Sequence, residues 1–311
     1  MCRRCVLVFA LLAAMAAYHS LNPVRAAGQT PRAADGQPDL QGLWTNSTTT
    51  PLERPPDMAD RAVLTAEEVA ALDAQAVGRN DRPPRAGDPG TYNEFWWERG
   101  TRLTQASLVV DPPDGRIPAL TADGQARAGW ARGSDSWTNR NLAERCVTRG
   151  APKRPGGYNN NFLILQTPGY VTILQEMIHE VRIIPLDDRP HIDDDIRLWM
   201  GDSRGRWDGE TLVVETTNFG TQIVFNSYNC CPGAGANLRL VERFTRVNAT
   251  TLDHRYTVED PSTYAGPWTA SIPLVQFDGP IYEYACHEGN YGMENLLRGA
   301  RVQEQDVVRA K

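Results

Sequence analysis

Leu252-Asp-His-Arg-Tyr-Thr-Val258 reads with a period of two. Leu252, His254, Tyr256 and Val258 fall on one face; Asp253, Arg255, Thr257 and the following Glu259 fall on the other. Successive side chains of a strand point to opposite sides, so this alternation predicts a strand with one face on a core and the other in water. Just before it, Asn248-Ala-Thr-Thr251 supplies turn residues and Leu238 to Val247 a second β-rich run. Together the three pieces predict an antiparallel hairpin.

The pattern repeats outward from this hairpin. Trp207-Asp-Gly-Glu-Thr-Leu-Val-Val-Glu-Thr-Thr217 sets an Asp-Gly turn before a β-branched run. Phe162-Leu-Ile-Leu165 and Tyr170-Val-Thr-Ile-Leu174 flank a Thr-Pro-Gly turn and predict another hairpin. Met177–Ile184, Ile196–Met200, Trp268–Val275 and Ile281–Cys286 read as further strands, and Leu108-Val-Val110 leads into a Pro-Pro-Asp-Gly turn. Helices are few. Thr65-Ala-Glu-Glu68 is a capping box that starts one running to about Val77. A short one is expected over Asp123–Arg132, and another at the C-terminus. Closely spaced strands with few helices argue for a mainly antiparallel barrel or sandwich. No repeat of 20 to 50 residues is visible, which argues against a propeller.

The first residues carry a targeting signature. Arg3 and Arg4 precede the apolar stretch Val6–Tyr18, and Val24-Arg25-Ala26-Ala27 offers a small-residue cleavage site. The stretch falls short of the about 20 residues that span a membrane. Residues 1–27 are therefore expected to be a signal peptide, and the protein to be periplasmic or secreted. Loss of Arg3, Arg4 and Arg25 takes the formal charge from −6 to −9. So acidic a chain lacks the basic field that nucleic acids require. Cys146, Cys230, Cys231 and Cys286 remain, an even number that in an oxidising compartment points to disulfides with three pairings open. Residues 28–100 are expected to supply a first strand, the capped helix and an aromatic loop (Tyr92, Phe95, Trp96, Trp97) packed on the barrel. Residues 101–311 would form the barrel and its C-terminal helix. Nothing in the sequence sets the oligomeric state.

Ile281-Tyr-Glu-Tyr-Ala-Cys-His-Glu-Gly-Asn-Tyr-Gly-Met293 mixes Cys, His, two acids, three tyrosines and two glycines. Neither a core strand nor a plain loop calls for that mixture, so the segment is expected to line a site. His179-Glu180 and His287-Glu288 repeat one dipeptide. His179 and His287 are candidate proton-transfer groups, Glu180 or Glu288 the acid that orients them, and Tyr284 a further proton donor. Arg182 and Arg204 are candidate anion binders, joined by Trp199, Asp202, Asn161 and Tyr291 as substrate contacts. The competing reading is a charge network that ties the barrel end shut, with Arg204 and Arg206 pairing Asp202 and Asp208. No cofactor is expected. A transition metal would need His179 and His287 to meet from separate strands with Asp202 as third ligand, and His-x-His and H-E-x-x-H spacings are absent. G-x-S-x-G, Walker and G-x-G-x-x-G motifs are absent as well, and His191-Ile-Asp-Asp-Asp195 reads as a solvated loop. These residues favour an acid–base enzyme for a small molecule, a lyase or hydrolase. The alternative is a non-catalytic carrier of a small hydrophobic or aromatic ligand, for which so many ionisable groups are superfluous.

Two resemblances add to this. Asp39-Leu-Gln-Gly-Leu-Trp44 resembles the Gly-x-Trp first strand of lipocalins, where the Trp plugs one barrel end; it implies an antiparallel β-barrel of the lipocalin or calycin kind. Gly157-Tyr-Asn-Asn-Asn161, Met177-Ile-His-Glu180, Arg182-Ile-Ile-Pro-Leu-Asp187, Trp199-Met-Gly-Asp-Ser-Arg-Gly-Arg-Trp207 and Ala285-Cys-His-Glu-Gly-Asn-Tyr-Gly-Met293 resemble a family of exported bacterial proteins. That resemblance brings no activity. It implies that Cys146 pairs with Cys286, and that adjacent Cys230 and Cys231 depart from the family pattern.

Overall fold

The structure, a computed structural model, describes residues 30–80, 94–129, 133–220 and 235–309. The signal-like segment 1–27, Arg82–Gly90, Tyr92, Cys230 and Cys231 lie outside them. The described residues form ten strands: β1 (Gly42–Thr45), β2 (Val109–Asp111), β3 (Asn161–Thr167), β4 (Tyr170–Gln175), β5 (Glu180–Pro185), β6 (Asp202–Asp208), β7 (Thr211–Thr217), β8 (Arg239–Asn248), β9 (Thr251–Glu259) and β10 (Trp268–Gln276). They form one antiparallel sheet in the order β5-β4-β3-β1-β10-β9-β8-β7-β6, with β2 added on β10. The sheet curls into a nearly closed nine-strand barrel. Its two ends meet where Gly205 of β6 faces β5: a Cβ there would lie 2.6 Å from Leu186 Cδ2 and 2.8 Å from Ile184 Cγ2. Glycine is what lets the seam draw together.

The expected hairpins form as β3–β4, β6–β7 and β8–β9. On β9, Leu252, His254, Tyr256 and Val258 are all buried, as the alternation requires. Helix α1 (Ala66–Asn80) begins with a reciprocal cap: Glu68 N–H donates to Thr65 Oγ1 (3.3 Å) and Thr65 N–H to Glu68 Oε2 (2.9 Å). Helices α2 (Ala122–Gly129) and α3 (Tyr291–Arg309) complete the set. No helix of the described residues is long and apolar enough to cross a membrane.

Three expected strands are corrected. Met177–His179 is a 3₁₀ turn, and the strand starts only at Glu180, because Ile178 (φ 60°) and His179 (φ 44°) take left-handed backbone that a strand cannot hold. Ile196–Met200 contributes a single bridge from Leu198 to Phe219. Ile281–Cys286 forms no strand; it lies across the 176–180 turn, where Tyr282 N–H donates to Glu176 Oε1 (2.9 Å) and a disulfide fastens its end. That disulfide joins Cys146 to Cys286, with Cα atoms 5.6 Å apart and a sequence separation of 140. In the chain-entropy picture a closure this long contributes about 4–5 kcal/mol.

Two apolar clusters fill the barrel. One holds Leu40, Trp44, Phe162, Ile164, Val171, Ile173, Ile184, Leu212, Val214, Phe244, Leu252 and Leu274; the other includes Leu240, Tyr256, Val258, Trp268, Ala270 and Ile272. Trp44 is fully buried and donates from Nε1 to Leu40 O (3.0 Å). Strand positions place a polar layer between the clusters. On β8, Glu242 separates Leu240 from Phe244; on β9, His254 separates Leu252 from Tyr256.

Candidate functional site

The polar layer is closed on itself. Arg182 Nη2 donates to Glu242 Oε2 (2.5 Å), Ser203 Oγ (3.2 Å) and Thr216 Oγ1 (3.3 Å), while His254 Nε2 meets Glu242 Oε1 at 3.1 Å. The His254 ring stacks on Phe244 with centroids 4.3 Å apart and planes 5° from parallel. Burial alone would raise the Glu242 carboxyl, but Arg182 and His254 outweigh it and hold it down at about 2. Arg182, expected to bind a substrate anion, is thus committed to Glu242. The space beside this layer is ≈ 20 Å³, room for about one water molecule. Beside Glu242 and His254, among the described residues, the interior is closely packed.

Other expected site residues disperse. Asp202 and Arg204 on β6 join an outer network: Asp202 Oδ2 takes His191 Nδ1 (2.7 Å) and Arg204 Nε (3.1 Å), and His191 Nε2 lies 3.4 Å from Glu215 Oε1. The competing ion-pair reading holds for Asp202 and Arg204, whereas Asp208 pairs with Arg243 (2.9 Å). Trp199, His287, Glu288 and Tyr291 are exposed. His179 is exposed too; its Nδ1 meets the Tyr284 carbonyl at 3.1 Å, which puts the proton of a neutral ring on Nδ1. No hydrogen bond joins His179 to His287 among the described residues. The reason is the irregular path of 281–286, which turns Tyr284 backbone rather than a histidine toward the 176–180 turn.

Open space lies instead at the barrel mouth. A cleft of ≈ 360 Å³ is lined by Trp97, Arg149, Lys153, Arg154, Tyr158 and Met177, with the Pro155–Gly157 turn between. Its frame is Asn160, fully buried at the end of the Gly157–Asn161 motif. Asn160 Oδ1 accepts from Lys153 Nζ (2.9 Å) and Gly156 N–H (2.7 Å); its Nδ2 donates to Glu98 Oε2 (3.2 Å) and Gly156 O (3.1 Å). All four hydrogen-bonding positions of the amide are used. Glu98 also accepts the backbone N–H groups of Asn159 (2.7 Å) and Asn160 (2.8 Å). Gly157 packs under Trp97: a Cβ there would sit 3.2 Å from the ring and would push it aside by a few tenths of an ångström. Asn161 anchors the same loop, donating to Glu176 Oε2 (2.8 Å).

Cys146 (φ 55°), Asn159 (φ 52°), Ile178 and His179 all hold left-handed backbone in the segments around this mouth. Such conformations cost about 1–3 kcal/mol each in non-glycine residues and gather at sites that need a fixed geometry. Two ionisable groups here titrate unusually. Burial pushes the Lys153 amine down to about 7; Arg149 adds to this, while Glu98 and Glu176 oppose it. Burial pushes the Glu180 carboxyl up to about 7, against the Thr148 hydroxyl, the Arg149 N–H (3.2 Å from Oε2) and the Arg182 and Arg149 charges.

Of the residues singled out by sequence, Glu180, Asn161 and the Cys146–Cys286 pair gather at this mouth. Lys153, Glu98 and Glu176 were missed. One signal was available: Lys153 and Lys311 are the only lysines among 32 Lys and Arg residues. Among the described residues no three His, Cys, Asp or Glu side chains come together in a way that could hold a metal ion. No family model matches the chain, and no curated protein or solved structure matches it.

Proposed function

We propose that the chain is an enzyme that carries out acid–base chemistry, as a lyase or hydrolase, on a small planar organic anion held in the mouth cleft. One observation carries this: a buried lysine amine lines an open cleft together with two arginines and two aromatic rings. Guanidinium groups match carboxylates, and Trp97 and Tyr158 offer faces for a planar body. A proton-transfer group works best when its pKa lies near the working pH. Lys153 and Glu180, both held near 7, meet that condition from opposite directions. The disulfide fits an oxidising compartment, so the reading places the enzyme in the periplasm or outside the cell. The ≈ 20 Å³ beside the Glu242 layer leaves no room there for a carried ligand.

Calorimetric titration with benzoate at pH 7 tests the reading. Benzoate should bind, and Lys153→Met and Trp97→Ala should each weaken it by roughly tenfold or more. Absence of binding, or binding that both variants retain, overturns it.

A further inference from the structure

We propose that Lys153 is a nucleophile that condenses with the carbonyl of a small 2-oxo acid, so that the reaction passes through an imine on this lysine. The proposal rests on the reading of the mouth cleft as the substrate site and names its substrate class.

Three features converge on it. First, the chain meets its other needs for positive charge almost entirely with arginine, and keeps lysine at 153. Arginine would supply charge there; only an amine supplies a lone pair for bond formation. Second, the amine is positioned. Nζ donates to Asn160 Oδ1, and Asn160 is itself locked by Glu98 and Gly156, so the nitrogen cannot wander as a surface lysine does. Third, burial beside the cationic Arg149 is the environment that leaves a lysine unprotonated and nucleophilic. The cleft's arginines then specify the rest of the partner: a carboxylate next to the reacting carbonyl.

The step balances without an oxidant or reductant. The Nζ lone pair attacks the carbonyl carbon, the C=O π pair moves to oxygen, and a proton passes from nitrogen to that oxygen to give a carbinolamine. The C–O bond then breaks as the oxygen takes a second proton, the nitrogen loses its remaining hydrogen to solvent, and the products are one imine and one water. The C=N bond, protonated, draws electrons from the adjacent carbon, which is how lysine imines promote C–C or C–H cleavage. A lyase is the class this favours.

The test uses the full-length protein with pyruvate and sodium cyanoborohydride, which reduces an imine to a stable secondary amine, followed by intact-mass measurement and peptide mapping. Acetone, which lacks the carboxylate, is the matched probe, and Lys311 is the internal control. The expected result is a pyruvate adduct on Lys153, formed at least roughly tenfold faster than on Lys311 and than the acetone adduct. Equal labelling of the two lysines, or no pyruvate adduct while benzoate still binds, overturns the imine and leaves the cleft reading standing. Failure of benzoate to bind removes the cleft reading itself. An intact mass one ammonia lighter than the sequence requires, before any probe is added, would show the amine already joined to Asn160 as an amide and would also overturn the proposal. Lys153→Arg keeps the charge and should abolish the adduct.

Discussion

The waist of the barrel and its mouth both bury charge, and they neutralise it by different means. At the waist Arg182, Glu242 and His254 touch one another, and the Arg182 charge with the His254 hydrogen bond keeps Glu242 ionised despite complete burial. At the mouth the hydrogen-bond partner of Lys153 is an amide, Asn160, and the amine is driven toward its neutral form. Low dielectric penalises an isolated charge far more than a paired one. A paired group stays charged and becomes structure; an unpaired one sits near its titration point and becomes available for proton transfer or bond formation. The waist leaves ≈ 20 Å³ beside it, whereas the mouth opens on ≈ 360 Å³.

The largest expected effect breaks the waist. Glu242→Gln keeps the shape and removes the charge that Arg182 requires, and leaving one member of a buried pair uncompensated costs about 3–5 kcal/mol. Chemical denaturation at pH 7 should show that loss. Wild-type stability should also fall under acid: because Glu242 is held at about 2, its contribution is whole above the usual 4.5 and disappears as pH drops from 4.5 toward 2. A variant within about 1 kcal/mol of wild type would mean that the waist is not a charged pair.

At the mouth the sign reverses. Lowering the Lys153 amine from 10.5 to about 7 corresponds to a burial penalty on the order of 5 kcal/mol at pH 6, from which a lost hydrogen bond of about 1 kcal/mol must be subtracted. Lys153→Met should therefore stabilise the protein by roughly 4 kcal/mol near pH 6. Between pH 7 and 10.5 the unfolded chain holds the proton that the folded chain has released, so wild-type stability rises with pH and the advantage of methionine shrinks. Melts at pH 6 and pH 10 read both the sign and the trend. Destabilisation at both would place Lys153 in the scaffold and erase the contrast with Glu242. A residue that destabilises its fold while serving a site is the ordinary form of a stability–function trade-off.

How far each region could be read from sequence follows from the same physics. The alternation of Leu252 to Val258, the Asp-Gly turn at 208–209 and the Thr65 capping box are local patterns, and local patterns survive into the fold. His254 was visible on the buried face of β9, but Glu242, its partner, was hidden because pairing depends on β8 register. The strand expected at 177–184 lost its first three residues to left-handed backbone at Ile178 and His179, which no propensity for Ile or His foretells. The mixed residue types of 281–293 carry no periodic pattern, and the segment's place is set by a disulfide and by the Glu176 carboxylate rather than by strand pairing. Histidine advertises acid–base chemistry by residue type alone. The significance of Lys153 lies in its burial, and burial of a Lys in a Gly/Pro-rich stretch has no periodic signature.

The smallest expected effect sharpens the mouth's half of the comparison. Glu180 Oε2 accepts from Gln175 Nε2 (3.0 Å) and Arg149 N–H (3.2 Å), contacts that a glutamine oxygen can keep. What Glu180→Gln removes is the titration. Burial raises this carboxyl from 4.5 to about 7, so the folded state holds a proton that the unfolded chain gives up across that interval. Stability linked to Glu180 is therefore whole below 4.5 and is lost as pH rises toward 7. The shift would amount to about 3 kcal/mol if Glu180 were fully enclosed, and its partial exposure reduces this to about 1–2 kcal/mol. Wild type and Glu180→Gln should match at pH 4.5, and the variant should be the more stable by that amount at pH 8. The arginines near it, Arg149 and Arg182, are common to both proteins, so the difference reports Glu180 itself. Stability curves that stay parallel from pH 4.5 to 8 would show that this carboxyl titrates normally, leaving Lys153 as the group on which acid–base chemistry at the mouth must rest.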